Sequence, residues 1–172
     1  MEKNVLVAYG SWAGSTGEIA EMIAKALQEE GLSTSAVPAG EVKDLSPYSA
    51  VVVGSGIRAG DMHGTVKGFM KRHNAALQGM PVAYFVSCKC MKQPTPEKIA
   101  EAQGYMKPLL EKYPEIKPVS QGMFAGVLDY GKIDWLSGWI MKKIEKDGGK
   151  GGDYRNPQAI RAWAREMAAK LN

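Results

Sequence analysis

A short apolar run, Asn4-Val5-Leu6-Val7-Ala8-Tyr9, feeds a turn of small and hydroxyl-bearing residues, Gly10-Ser11-Trp12-Ala13-Gly14-Ser15-Thr16-Gly17. Beyond the turn, Ile19, Met22, Ile23, Ala26 and Leu27 recur at helical spacing as far as Gly31. This strand–turn–helix restricts the fold more than any other stretch of the chain. The turn leaves backbone N–H groups free at the positive end of the helix, and Ser11, Ser15 and Thr16 add hydroxyl donors beside them. Such a turn fits a phosphate group. The alternative is an ordinary strand–helix turn whose hydroxyls cap the helix.

What the turn lacks narrows the guest. No lysine follows a glycine here, so the pattern that reaches a nucleotide's outer phosphates is missing. The closely spaced glycines of a dinucleotide site are missing too, as is an acidic residue ending the next strand. Val7-Ala8-Tyr9 and Val53-Gly54 end their strands without the acidic cluster of a phosphate-accepting receiver. Donors without a fixed cation suit one terminal phosphate monoester, and FMN carries such a group.

Downstream, Ser33 to Val37 reads as a second strand, and Ala50 to Gly54 as a strand buried on both faces. Thr65 to Ala76 has the spacing of a helix that buries Val66, Phe69 and Met70, and Pro81 to Val86 is the next strand. Pro96 opens a helix with Ile99, Ala100, Ala102 and Tyr105 inward, which Pro108 is expected to break. Val119 to Val127 is a glycine-containing strand, Asp134 to Lys146 returns to helical periodicity, and Asp147 to Asp153 is a glycine-rich mobile loop. Pro157, at a first helical position, starts a last helix with Ile160, Trp163, Ala164, Met167, Ala168 and Leu171 on one stripe. With no repeat or linker, residues 1–172 are expected to form one domain. The alternation predicts an α/β three-layer sandwich around a five-stranded parallel sheet of order 2-1-3-4-5. Ligands then bind outside the carboxyl ends of strands 1 and 3, where the topology reverses.

No apolar run approaches the ~20 residues of a membrane span, and the N-terminus has no signal-peptide pattern, so a cytoplasmic protein is expected. The two cysteines, Cys88 and Cys90, are one residue apart. That is a poor geometry for a structural disulfide and too few ligands for zinc, so free thiols in a reducing compartment are expected. The net charge of +4 conceals an asymmetry: residues 1–61 carry four basic and eight acidic side chains, the remainder eighteen and ten. A basic second half fits anionic partners such as acidic proteins, phospholipid or carboxylate substrates, and equally a solvated surface. Nucleic acid is not indicated, because the aromatics are not interleaved with the basic residues.

Taken together, these residues resemble the flavodoxin-like superfamily, with Ser11-x-x-Gly14-x-Thr16 corresponding to its phosphate loop. The chain is most similar to the menaquinone-dependent protoporphyrinogen oxidase (protoporphyrinogen IX dehydrogenase) branch. Three blocks carry that resemblance: Gly17-Glu18-Ile19-Ala20; Val53 to Gly60 with His63 just after; and Phe124 to Tyr130 followed by Trp135 and Ile140-Met141-Lys142. They cover nearly the whole chain in the same order. The resemblance implies an FMN-dependent oxidoreductase that passes electrons from an organic substrate to a quinone or similar acceptor. It leaves open a flavodoxin that carries electrons between redox proteins.

The resemblance also implies roles for particular residues. Ser11, Trp12, Ala13, Gly14, Ser15 and Thr16 would hold the FMN phosphate. Ser55, Gly56, Ile57 and Arg58 would form a second loop along the flavin ring near N5, and Ser87, Cys88, Lys89 and Cys90 a third loop at the pyrimidine end. Asp129 and Tyr130 would close the site. The second and third loops offer Ile57, Met62 and Met91 where electron-carrier flavodoxins place stacking aromatics, so Trp12 and Tyr130 are the nearest aromatics. No catalytic acid or base and no metal site is implied.

Some residues fit two readings each. Arg58 suits either a substrate carboxylate or a surface ion pair. His63 suits a proton relay or a structural contact. Cys88-x-Cys90 is either redox-active or simply backbone of its loop. The segment from Trp135 to Lys146 fits a peripheral membrane contact, where a menaquinone would be reached, or a core helix.

Overall fold

The computed structural model describes residues 3–128 and 151–171. The elements in chain order are β1 (Asn4–Gly10), α1 (Ser15–Glu29), β2 (Ser33–Pro38), β3 (Ala50–Arg58), β4 (Asp61–Met62), α2 (Gly64–Leu77) and β5 (Val82–Ser87). A 3-10 turn (Lys89–Lys92), α3 (Pro96–Lys112), β6 (Ser120–Phe124), β7 (Val127–Leu128), β8 (Gly152–Asp153) and α4 (Pro157–Leu171) follow.

Side chains alternate across the sheet, and both faces are apolar. Val5, Val7, Val52 and Phe85 point to one face, where Ile19, Ile23 and Leu27 of α1 and Ile160 and Met167 of α4 cover them. Leu6, Ala8, Val53 and Tyr84 point to the other, against Val66 and Phe69 of α2 and Met106 and Leu109 of α3. The result is the expected three-layer sandwich. Its parallel strands run β2-β1-β3-β5-β6, the predicted 2-1-3-4-5 order once the short β4, antiparallel to β3, is set aside. Register carries the sheet to one edge: Gly10 lies opposite Ser55, Gly56 opposite Ser87, and Ser87 opposite Phe124.

The helix ends follow local chemistry. α1 stops in a Schellman turn, with Gly31 at φ 86°, its N–H on the Gln28 carbonyl at 3.0 Å and Leu32 N–H on the Leu27 carbonyl at 3.1 Å. Asn156 Oδ1 accepts the Ala159 N–H at 3.0 Å and starts α4 just before Pro157. The predicted stripe of α4 is buried apart from Trp163, which is half-buried.

Several expectations need correction. β3 does not stop at Gly54 but runs on to Arg58 and turns back through Ala59 and Gly60 to pair with β4. Both turn residues have positive φ, 51° and 78°, as a two-residue hairpin turn requires. α3 continues through Pro108, which faces solvent, so the carbonyl deprived of its N–H partner meets water. Its inward face is Ala102, Met106 and Leu109, while Ala100 is exposed. The strand expected from Val119 to Val127 is interrupted at Ala125-Gly126. Beyond the break, β7 pairs antiparallel with β8, so Gly152 and Asp153 belong to a strand rather than to the predicted loop. The helix predicted from Asp134 to Lys146 lies outside the described residues, as do Asp129 and Tyr130. Among the described residues, no helix is long and apolar enough to cross a membrane.

Candidate functional site

The site is built where β1 gives way to α1. Gly14 immediately precedes α1 at φ 97° and ψ −24°, and no side chain caps the helix. The hydroxyl-capped alternative therefore does not hold. The Ser11 hydroxyl instead accepts the Gly14 N–H at 2.8 Å, which fixes the loop one turn before the helix. Left-handed backbone at Gly14 carries almost no penalty for glycine, and a Cβ there would project into open space. The first N–H groups of α1 have no intrahelical acceptor by geometry and point out of the carboxyl edge of the sheet. Thr16 is buried behind this loop and Trp12 stands out from it, 48% exposed.

The second predicted loop lies directly against the first. A Cβ on Gly56 would come within 2.9 Å of Thr16 Oγ1 and 3.4 Å of Trp12 Cδ1, so only a glycine lets β3 approach this closely. The fully buried Ser55 hydroxyl donates to the Gly56 carbonyl at 2.8 Å and accepts the His63 N–H at 2.8 Å. Turning the Gly56 carbonyl outward would cost the first of these bonds. Ile57 is half-buried in the strand, and Arg58 holds its guanidinium 5.5 Å from the centre of the Trp12 ring.

The third predicted loop arrives from β5. Ser87 is buried, and a Cβ on Gly126 would meet Ser87 Oγ at 2.7 Å and Ser15 Oγ at 3.2 Å. The end of β5, the start of α1 and the break after β6 therefore converge on a single glycine. Cys88 is buried and its N–H bonds the Phe124 carbonyl at 3.0 Å; Cys90 is half-buried and Lys89 exposed. Burial first, then the neighbouring Cys90, pushes the Cys88 thiol well above its ordinary range.

His63 takes the structural role of its two readings. Its Nδ1 accepts the Thr65 N–H at 3.3 Å, sits 2.8 Å from Thr65 Oγ1, and so begins α2. Its ring lies 4.4 Å from that of Trp12, centre to centre. Burial holds its protonation below the usual histidine range.

Two parts of the site had no signal in the sequence. Arg155 pairs with Glu18, in the first turn of α1, and with Asp153 of β8. The hydrogen bond from Arg155 and its charge hold the Asp153 carboxyl below its usual range. Next to it, the Tyr154 N–H reaches the Gly126 carbonyl at 3.3 Å, and Lys92 lies 4.3 Å from the Tyr154 ring centre. Residues 152–155 thereby join the third loop to the start of α1. Their partners are distant in sequence and no motif marks them.

In outline, the sequence-predicted residues Ser11 to Thr16, Ser55 to Arg58 and Ser87 to Cys90 meet at one edge around an uncapped helix start. The arrangement can receive an anion on the backbone N–H groups of the helix start, where the three loops pack together. Among the described residues no group of three or more His, Cys, Asp or Glu side chains could hold a metal ion.

Comparison with known proteins agrees with the fold. A family model described as Flavodoxin domain matches residues 6–155. Protoporphyrinogen IX dehydrogenase [quinone] of Escherichia coli (strain K12) is 26% identical over 171 residues, spanning 95% of this chain and 93% of that protein. The protein of the same name from Leishmania major is 29% identical over 175 residues, spanning 95% of this chain and 74% of its own length. A point mutant of the flavodoxin from Pseudomonas aeruginosa superposes with a TM-score of 0.61 at 16% identity, covering 98% of each chain. At that identity the likeness speaks for the fold alone.

Proposed function

The chain belongs to the flavodoxin domain family, and from that premise we propose that it is an FMN-dependent oxidoreductase of the protoporphyrinogen-dehydrogenase type. In this reading it passes electrons from a small organic donor to a quinone. The observation that carries the reading is the convergence of three loops on an uncapped helix start, with Gly56 and Gly126 where any Cβ would intrude. A phosphate monoester suits that start, since it offers N–H donors and hydroxyls without a fixed cation. The residues present therefore fit FMN.

When bound, FMN supplies the redox chemistry, as an acceptor and donor of electrons one or two at a time. The chain's own residues bind, orient and enclose. Ser11, Trp12, Ala13, Gly14, Ser15 and Thr16 would hold the phosphate. Ser55, Gly56, Ile57 and Arg58 would border one side of the ring, and Ser87, Cys88, Lys89 and Cys90 the pyrimidine end. Asp129 and Tyr130 would close the site. The exposed Trp12, with Arg58 over its ring, offers an apolar surface beside a positive charge, suited to an aromatic donor that carries carboxylates. A quinone approaching from a membrane surface would meet the basic second half of the chain in a cytoplasmic protein that docks peripherally.

A second reading, a flavodoxin shuttling electrons between redox proteins, has one observation in its favour. The excess of basic over acidic side chains beyond residue 61 would suit docking to an acidic partner.

Reconstitution with FMN tests the shared premise, and anaerobic oxidation of a porphyrinogen with a menaquinone analogue as acceptor separates the readings. Turnover that requires both FMN and quinone supports the first. A protein that takes up no FMN contradicts both.

A further inference from the structure

Cys88 and Cys90 flank Lys89 at the end of β5, with their sulfur atoms 2.7 Å apart. Both are free thiols, Cys88 buried and Cys90 partly open to solvent. The backbone around them is pinned. Cys88 N–H bonds the Phe124 carbonyl, and the Met91 N–H lies 3.4 Å from the Cys88 carbonyl within the 3-10 turn. Two thiols already in contact need about 0.7 Å of further approach to reach bonding distance. The single-residue spacer closes a tighter ring than two-residue redox motifs do. A disulfide in such a ring is strained and easily reduced, so the dithiol is the resting form and the disulfide forms only where a small disulfide is in excess over its thiol.

We propose that Cys88 and Cys90 form a redox-active dithiol whose substrate class is a low-molecular-weight disulfide. Cys90, the accessible partner, loses its proton to solvent and attacks one sulfur of the substrate. A mixed disulfide forms on Cys90, and the first thiolate leaves and takes up a proton. Cys88, already beside the Cys90 sulfur, loses its proton and attacks it, and the second thiolate leaves and takes up a proton. In sum two cysteine thiols are oxidised to one disulfide while one substrate disulfide is reduced to two thiols. No electrons or protons are left over. Lys98 and Tyr105 of α3 lie within electrostatic reach of the pair, the former ion-paired to Glu101. Cys88 and Cys90 lie on the third loop, but the exchange draws no electron from a flavin, so it stands or falls apart from the function proposed above.

The test is intact mass after incubation of the full chain, equilibrated with FMN, with oxidised glutathione, quenched in acid and alkylated. The expected product has lost two hydrogens, keeps no glutathione and takes up no alkylating reagent. Cys88→Ser is expected to trap one glutathione on Cys90. Cys90→Ser is expected to react roughly tenfold more slowly, because the remaining thiol is buried and protonated. Should Cys88→Ser not fold, the wild-type mass and the Cys90→Ser rate decide the matter. An unchanged wild-type mass, glutathione retained on the wild type, disulfide-linked dimers, or a Cys90→Ser protein reacting at the wild-type rate would each overturn the proposal.

Discussion

Glu18 and Arg155, 137 positions apart, meet as an ion pair at the first turn of α1. Arg155 is the more buried partner, and its other arm holds Asp153. The pair places the β8 segment beside the helix start where a phosphate is proposed to bind. It also offsets a carboxylate that would repel that phosphate. Arg155→Ala should weaken FMN binding about fivefold, or ~1 kcal/mol, the scale of a charge near a helix end. Adding Glu18→Gln should restore part of the loss. Titration of FMN fluorescence measures both, and equal affinities in all three proteins would remove Arg155 from the account.

Gly56 is predicted to be the least replaceable residue of the second loop. In Gly56→Ala the new methyl would lie 2.9 Å from the buried Thr16 hydroxyl, and β3 would have to move away from the phosphate turn. Overpacking of this kind costs about 1–3 kcal/mol, and here it falls on the geometry of the site. FMN affinity should drop at least as much as stability. Isothermal titration beside chemical denaturation separates the two, and a large loss of stability with unchanged affinity would contradict the placement.

Ala59 holds a left-handed backbone, at φ 51°, that its side chain disfavours. Ala59→Gly should therefore stabilise the fold by about 1 kcal/mol, despite the greater freedom glycine has in the unfolded chain. The midpoint of urea unfolding reads this directly. A destabilised variant would mean the β3–β4 turn is not formed as described.

His63 makes stability depend on pH in one direction. Its folded-state proton affinity is depressed by burial, so the unfolded chain binds the proton first as pH falls. The contribution is intact above the ordinary histidine range near ~6.5 and is lost as pH falls from there towards the lower folded value. Protonation at Nδ1 would also remove the acceptor for the Thr65 N–H and uncap α2. His63→Asn, which keeps a capping oxygen, should flatten this part of the profile below the ordinary histidine range near ~6.5. Parallel profiles for wild type and variant would contradict it.

The architecture was legible because it rests on periods that sequence carries openly. The apolar runs of β1, β3 and β5 gave the parallel sheet, and the helical spacing of α1 and α4 gave one outer layer. The turn between β1 and α1 was legible from Ser11, Gly14 and Thr16, and the convergence of Gly56 on Thr16 follows from the strand order. The hairpin after Gly56 was hidden because Ala59 stands where Asn or Gly usually marks such a turn. β7 and β8 are two residues each, too short for any period to show. The inward face of α3 was misjudged because Ile99 is only half-buried, while Met106 and Leu109 reach the core past an exposed Pro108. The clasp of Arg155 on Glu18 depends wholly on tertiary placement.

The most direct measurement of the central claim is anaerobic reduction of the FMN-reconstituted protein, followed by rapid mixing with a menaquinone analogue in the presence of liposomes. The account predicts that flavin absorbance returns fully, with one quinone consumed per flavin. A reduced flavin that persists in the presence of quinone, yet is reoxidised at once by an electron-accepting redox protein, would contradict it and mark the chain as a carrier.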